Sequence, residues 1–181
     1  MPNWTTNVLR VTGDDSETIQ QMVDFFEDNT KPHEYDKDRV VLTFQASVPR
    51  HKDLDISSPA KTDEEIKQAE INLKKYGAKD WYDWNRYNWG TKWNANTWGE
   101  CHIDILDDWA EITIQFDTAW SPPLAWLKKV SKKYPLLTFK MDVEEESEDF
   151  IGCPIARGGV LKENIVGIEY PTDKEIANVT D

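Results

Sequence analysis

Cysteine is scarce in this chain. Cys101 and Cys153 are the two present among 181 residues, too few for a disulfide framework and too few for a four-thiolate zinc site. The sequence alone does not decide whether they pair with each other; Cys153 reads most simply as a small buried hydrophobe. Histidine is nearly as rare: His33 and His51 stand in polar stretches and His102 in an alternating one. No zinc helix motif, nucleophile elbow or glycine-rich phosphate loop accompanies them. Long apolar runs are missing, since nothing approaches the roughly 18 residues that cross a bilayer as a helix. Met1-Pro2-Asn3-Trp4 does not read as a signal peptide, so the expected location is the cytoplasm. Positive charge is the last shortage. Lys and Arg number 21 against 34 Asp and Glu, a formal net charge of −13 with a pI near 4.6, which excludes nucleic-acid binding by plain charge attraction.

What the chain does have is aromatic bulk. Hydrophobic residues make up 39% and aromatics 12%, with 9 Trp, enough for a core in a single domain over residues 1–181 with room for an inserted piece. Asn7 to Thr12 reads as a strand closed by Gly13. Asp14 and Glu17 occupy capping-box positions ahead of a helix with Ile19, Met22, Val23 and Phe26 on one face. A second strand is expected over Val40 to Ala46, ending before Pro49. Thr62 and Glu65 make another capping box ahead of Ile66, Ala69, Leu73 and Tyr76, and Gly77 ends that helix. From Asp80 to Trp98, five Trp and two Tyr are mixed with polar residues; a short helix followed by a structured loop is expected there.

Cys101, Ile103 and Ile105 alternate, as do Ala110, Ile112, Ile114 and Phe116 beyond Asp107-Asp108, which predicts a hairpin with one apolar and one polar face. Ser121-Pro122-Pro123 opens a helix carrying Trp126, Leu127, Val130 and Tyr134, and Pro135 ends it. Leu137, Phe139, Met141 and Val143 then alternate in a further strand that runs into acids. Phe150 to Ala156 and Val160 to Tyr170 read as short strands about a Gly158-Gly159 turn, with a tail from Pro171. Setting aside the helical piece leaves strand, helix, strands, helix, strand, read as the order strand, helix, strand, strand, helix, strand. The fold class is therefore α+β: a ferredoxin-like split βαβ antiparallel sheet with helices on one face. Its core is expected at about 4–48 and 99–145, with a helical Trp-rich insertion at about 62–98 and a C-terminal strand extension at about 149–170.

Four segments resemble one family, the YubB-type ferredoxin-like proteins encoded by plasmids and phages. They are Pro2-Asn3-Trp4 with Asn7 and the strand to Gly13; Tyr76-Gly77 and Asp80-Trp81-Tyr82-Asp83-Trp84 running into Asn88-Trp89-Gly90-Thr91-Lys92-Trp93-Asn94-Ala95; Asp117-Thr118-Ala119-Trp120-Ser121-Pro122-Pro123; and the strand after Pro135 with its acidic end and Phe150-Ile151-Gly152. Together they span nearly the whole chain. Two places depart from the family pattern: Gln45-Ala46-Ser47-Val48-Pro49 stands where an Asn-Lys and Pro-rich segment is usual, and acids replace the glycine-rich turn before Phe150. The resemblance implies a ferredoxin-like fold and a mobile-element setting in a bacterial host cell. It implies no particular activity.

Two groups of residues are candidates for function. The first is acidic: Glu144, Glu145, Glu146, Glu148 and Asp149 at one strand end, Asp107 and Asp108 in the hairpin turn, and Asp104, Glu111, Asp117 and Asp142 on the solvent side of the strands. The bland account of such an excess is solubility. The functional account is a surface that occupies a basic groove where a nuclease or effector complex holds phosphates, with fast steered association that weakens as salt rises. The second group is a possible ligand pocket of Trp81, Trp84, Asn88, Trp89, Lys92, Trp93 and Trp120, with Thr91 and Asn94 beside them. Its bland account is a core in which polar neighbours satisfy buried indole N–H groups. Lys92 is as readily stacked on Trp89 or Trp93 as it is an anion-binding or catalytic lysine. His102 and Asp104 share a strand face opposite to Cys101, which is awkward for a three-ligand site; no metal and no cofactor is expected.

The leading expectation is a non-enzymatic phage or plasmid accessory protein that binds and inhibits a host nucleic-acid-directed defence component, of anti-CRISPR or anti-restriction type, through its acidic surface. The defence target follows from the mobile-element setting that the resemblance implies. The partner is then a host protein with a basic, nucleic-acid-binding surface, with no direct nucleic-acid contact and no membrane. The alternative is a small-molecule-binding or enzymatic protein using the Trp-lined pocket with Lys92. Base stacking of a single strand on the open sheet face is opposed by the acidic outward residues, among which Trp109 is the one aromatic.

Overall fold

The computed structural model describes residues 3–13, 18–106, 109–147 and 149–167. Asp14 and Glu17, Asp107 and Asp108, Glu148, the tail from Pro171 and the last residues before it, and the side chain of Trp109 lie outside the described residues. In chain order the elements are β1 (Trp4–Thr12), α1 (Thr18–Asn29), β2 (Thr30–Pro32), β3 (Val40–Leu42), α2 (Phe44–Ser47), α3 (Asp63–Tyr76), α4 (Trp81–Asn88), β4 (Asn96–Leu106), β5 (Trp109–Ala119), α5 (Leu124–Lys133) and β6 (Thr138–Glu145), then the short strands β7 (Ile151–Gly152), β8 (Ile155–Arg157), β9 (Val160–Lys162) and β10 (Ile165–Val166).

The centre of the sheet runs β6-β1-β5-β4, every neighbour antiparallel. With α1 entering after β1 and α5 joining β5 to β6, this is the split βαβ arrangement of the ferredoxin-like fold. Strand alternation explains how it holds together. Leu9 stands opposite Ile114 on one side and Met141 on the other, and Val11 opposite Ile112 and Phe139. All six are buried, so the period-2 pattern lines up apolar rows three strands wide. Helix α1 lays Met22 and Phe25 on these rows, and α5 lays Trp126, Leu127 and Val130. Phe25 meets Tyr134 and Phe139 edge-on, with centroids 5.5 and 5.2 Å away. The stripe expected on α1 is rotated by part of a turn: Thr18, Met22, Phe25 and Asn29 are buried, while Ile19 and Phe26 flank them.

The strand expected over Val40 to Ala46 is a correction. Only Val40–Leu42 forms a strand; it pairs with Thr30–Pro32 in a separate two-stranded sheet, and Phe44–Ser47 is a helical turn. The reason lies fifty residues away. Asn94 Oδ1 accepts from Phe44 N at 2.7 Å, and Thr97 Oγ1 accepts from Leu42 N at 2.9 Å. These side chains satisfy the backbone that a ladder would otherwise use, and Phe44 turns into the core between Trp89, Phe116 and Trp126. The second strand of the core is thus β4, and residues 30–95 lie between α1 and it. Beyond β6 the chain returns to cover that edge: β7 and β8 both pair with β6, and β8 and β9 form a hairpin about Gly158 and Gly159. Both glycines take positive φ, 57° and 83°, as the tight turn demands.

Candidate functional site

The Trp-rich segment is built on two capped helices. Thr62 and Glu65 form the expected reciprocal capping box of α3, and Gly77 ends the helix in the left-handed region. Asp80 caps α4 by accepting from the N–H groups of Tyr82 and Asp83. Helix α3 buries little: Ile66 and Leu73, expected on its inner face, are 48% and 44% exposed. Its anchor is polar. Asn72, fully buried, donates to the carbonyls of Asp53 and Lys79.

The tryptophans divide into two sets. Trp84 and Trp89 meet edge-to-face at 5.6 Å and belong to the core. Trp89 Nε1 donates to the Val48 carbonyl and Trp126 Nε1 to Ser47 Oγ, both at 2.9 Å, as buried indoles require. Asn88 is not on the wall of the cleft beside Trp89: its amide donates to the Trp84 carbonyl, and its oxygen accepts from Lys129. Asn85, buried, donates to the Lys92 carbonyl and accepts from Arg50 Nη1 at 2.8 Å. These contacts leave a cleft of about 580 Å³ whose walls include Trp81, Trp89, Trp93, Arg50, Asp55 and Asn85. Arg50 also donates to Asp55 at 3.1 and 2.6 Å, and Gln45 exchanges hydrogen bonds with the Arg50 backbone. The polar groups of the cleft therefore satisfy one another.

Lys92 faces elsewhere. Its Nζ lies 4.4 Å from the ring centroid of Trp120, 4.7 Å from Trp93 and 6.0 Å from Tyr82; of the two rings weighed for it from the sequence, Trp93 is the one it meets. Trp4 continues the aromatic row at 5.9 Å from Trp93. Trp120 takes φ 73°, a strained conformation for a bulky residue. Hydrogen bonds pin it on both sides: its N–H donates to the Asn3 carbonyl, Thr91 to the Ala119 carbonyl and Ser121 to the Gly90 carbonyl.

The acidic group is also divided. Glu144, Glu146 and Asp149 are exposed and have no ion pair among the described residues. Glu145 is not part of that surface. Strand alternation turns it inward behind Val143, where it is 3% exposed, and its Oε2 accepts from the N–H groups of Ser147 and Asp149. Among the described residues its Oε1 has no hydrogen-bond partner, nor do Thr5 Oγ1 and Asn7 Oδ1 on the neighbouring strand. Asp142 pairs with Arg10. Partial burial works against its charge, but the Arg10 guanidinium and the Cys153 thiol hold its pKa below the ordinary value.

On the open face, bases interrupt the acids. Lys140, Arg10, Thr113 and His102 stand in one row, and Glu144, Thr6, Asp117 and Asn96 in another. His102 lies 3.1 Å from Asp104 on the outer strand. Cys101 and Cys153 are free thiols; they belong to β4 and to the segment after β7, four strands apart. Burial pushes the Cys101 thiol up to about 11. Among the described residues no three His, Cys, Asp or Glu side chains stand together as metal ligands, and no helix is long and apolar enough to cross a membrane.

The aromatic row and the acidic strand end belong to one end of the sheet, and sequence reasoning had treated them apart. Trp4 faces Ala119, the residue before Trp120, and its carbonyl accepts from Glu146 N. Thr6, the next residue on that face, stands opposite both Glu144 and Asp117. Trp4 and Tyr82 were not among the expected site residues, nor were Arg50 and Asp55. The phase of β1, with Leu9 and Val11 inward, was a signal that puts Trp4 on the outer face; nothing local marked the others.

Residues 88–169 match the family model described as the ferredoxin-like domain in Api92-like protein. A crystal structure of the protein api92 from Yersinia pseudotuberculosis is similar to 94% of this chain and covers 99% of its own, with a TM-score of 0.51 and 9% sequence identity. At that identity the likeness is one of fold. No curated protein matches the chain. Both findings agree with the α+β ferredoxin-like class expected from the order of elements.

Proposed function

We propose that this protein is a non-enzymatic binding protein that engages a basic protein surface with the acidic end of its sheet. The observation that carries the reading is the state of Glu144, Glu146 and Asp149: exposed, clustered about one turn and unpaired among the described residues. Arg10, a base of the same face, is already paired with Asp142. Carboxylates left free on a chain of net charge −13 steer a cationic partner and favour its docking there. In the plasmid or phage setting implied by the YubB-type resemblance, the partner is a host nucleic-acid-directed defence component in the cytoplasm, and the protein acts as its inhibitor, in the manner of an anti-CRISPR or anti-restriction protein.

The test is a pull-down with the tagged full chain at low and high salt, beside a variant carrying Glu144→Lys, Glu146→Lys and Asp149→Lys. Glu145 is left intact because it is buried. Salt-sensitive recovery of a nucleic-acid-processing protein, lost in the variant, is the expected result; recovery unchanged by charge reversal overturns the acidic surface as determinant. A second reading, a small ligand in the cleft, is favoured by its volume of about 580 Å³ and by Trp81 and Trp93 on its wall. Native mass spectrometry of the purified protein separates the two, because a small molecule lost on Trp81→Ala belongs to the second.

A further inference from the structure

At the aromatic end of the sheet one cation stands against three rings. Arg10, Arg50, Lys75 and Lys133 each have a carboxylate partner. Lys92, like most of the other lysines, has no carboxylate within ion-pair distance among the described residues. Its ammonium is held by ring faces instead, nearest those of Trp120 and Trp93, the side-chain type with the strongest cation–π attraction. Both rings reach solvent, at 42% and 37% exposure. The strained backbone of Trp120, fixed by the hydrogen bonds on either side of it, keeps its ring in that position. Strain of this kind persists only where the surroundings over-determine it.

We propose that Tyr82, Trp93 and Trp120 form a cation site that Lys92 fills in the unbound protein, and that a lysine or arginine side chain of a basic protein segment takes its place. This rests on the reading above that the partner is basic, and names the contact the partner makes. Charge complementarity selects the occupant. Trp4, in contact with Trp93, begins the strand whose next outward residue faces Glu144 and Asp117, and Glu146 N is bonded to the Trp4 carbonyl. A peptide with one cation in the cage therefore sets its further positive charges against carboxylates, where an anionic ligand meets repulsion. The exchange is local, because the Lys92 carbonyl stays bonded to Asn85 and only the flexible side chain swings away.

Isothermal titration of the full chain with an octa-arginine peptide tests this, with thermal melts confirming that each variant folds. Lys92→Met removes the resident cation and keeps most of the stem; binding is expected to tighten about three- to tenfold. Lys128→Met makes the same change in net charge on an exposed part of α5 and is expected to leave affinity within about twofold. Trp93→Leu and Trp120→Leu remove ring faces and are expected to weaken binding about tenfold, whereas Trp98→Leu, at a 50% exposed tryptophan of β4, leaves it unchanged. Where Trp120→Leu fails to fold, Trp93→Leu and the gain in Lys92→Met carry the test. Equal affinities for wild type, Lys92→Met and Trp93→Leu, with binding lost in Glu144→Lys and Glu146→Lys, overturn the cation site and leave the acidic reading standing. Tetramethylammonium bound and octa-arginine refused overturn the peptide as occupant. Neither probe bound overturns both.

Discussion

Glu145 shows how far a single position depends on strand phase. Phe139, Met141 and Val143 are buried at every second residue, and Glu145 follows in step. A carboxylate on the inner face is tolerated because it closes the turn, accepting from two backbone N–H groups. Glu145→Ala leaves those donors without their acceptor, a loss of about 1–3 kcal/mol. Glu144→Ala, one residue away but exposed, is expected to stay within about 0.5 kcal/mol. Urea denaturation of both variants checks the contrast, and equal stabilities contradict the inward placement. Phe25, fully buried between Tyr134 and Phe139, sets the scale for the apolar side of the same sheet: Phe25→Ala is expected to cost about 3–5 kcal/mol by the same measurement.

Among the elements, α3 has both ends written in the sequence, from Thr62 and Glu65 to Gly77, though not its buried face. The inner strands were legible for the same reason, since Leu9, Ile112, Ile114, Phe139 and Met141 keep a strict period. Val40 to Phe44 was not, because an apolar run looks alike whether it continues as a strand or turns; the deciding groups, Asn94 and Thr97, are distant in the chain. The tryptophans resisted for a related reason. Trp89 and Trp93 sit four residues apart among similar polar neighbours, yet one is 2% exposed and the other 37%. Side-chain direction at the end of α4 decides between them, and composition does not.

The capping box also gives α3 a pH dependence with a definite sign. Backbone N–H groups of Lys61 and Ser57 hold Glu65 at a pKa of about 2, below its ordinary 4.5. A carboxyl depressed in the folded state stabilises above its unfolded pKa and loses that contribution as pH falls through the folded value. Amide exchange of α3 is therefore expected to accelerate between about pH 4.5 and 2 more than exchange of β1 or β5, and Glu65→Gln is expected to flatten the difference. Thr62→Ala removes the other half of the box and costs about 1 kcal/mol. The loss is expected in α3 amides first, because that helix is tied down by a few polar contacts, those of Asn72 and of Tyr76 and Lys75 with Asp53. Identical acid profiles for wild type and Glu65→Gln contradict the assignment.

For the whole molecule, one excess of charge works in two directions. At a net charge of −13 the folded chain repels itself, and salt relieves that repulsion over a Debye length of about 10 Å at 0.1 M. The ion pairs that oppose it, Arg10 with Asp142, Arg50 with Asp55, Lys75 with Asp53 and Lys133 with Asp28, are all substantially exposed on at least one side, and such pairs contribute little. The same carboxylates attract a cationic partner, and salt screens that attraction equally. Melting temperature is therefore expected to rise between low and about 0.5 M sodium chloride while affinity for octa-arginine falls over the same range. Thermal melts and titrations on one preparation measure both slopes. A melting temperature that falls with salt shows that the ion pairs outweigh the repulsion within the folded chain, whereas an affinity for octa-arginine that does not fall with salt contradicts attraction by the free acids and leaves the aromatic rings as the source of binding.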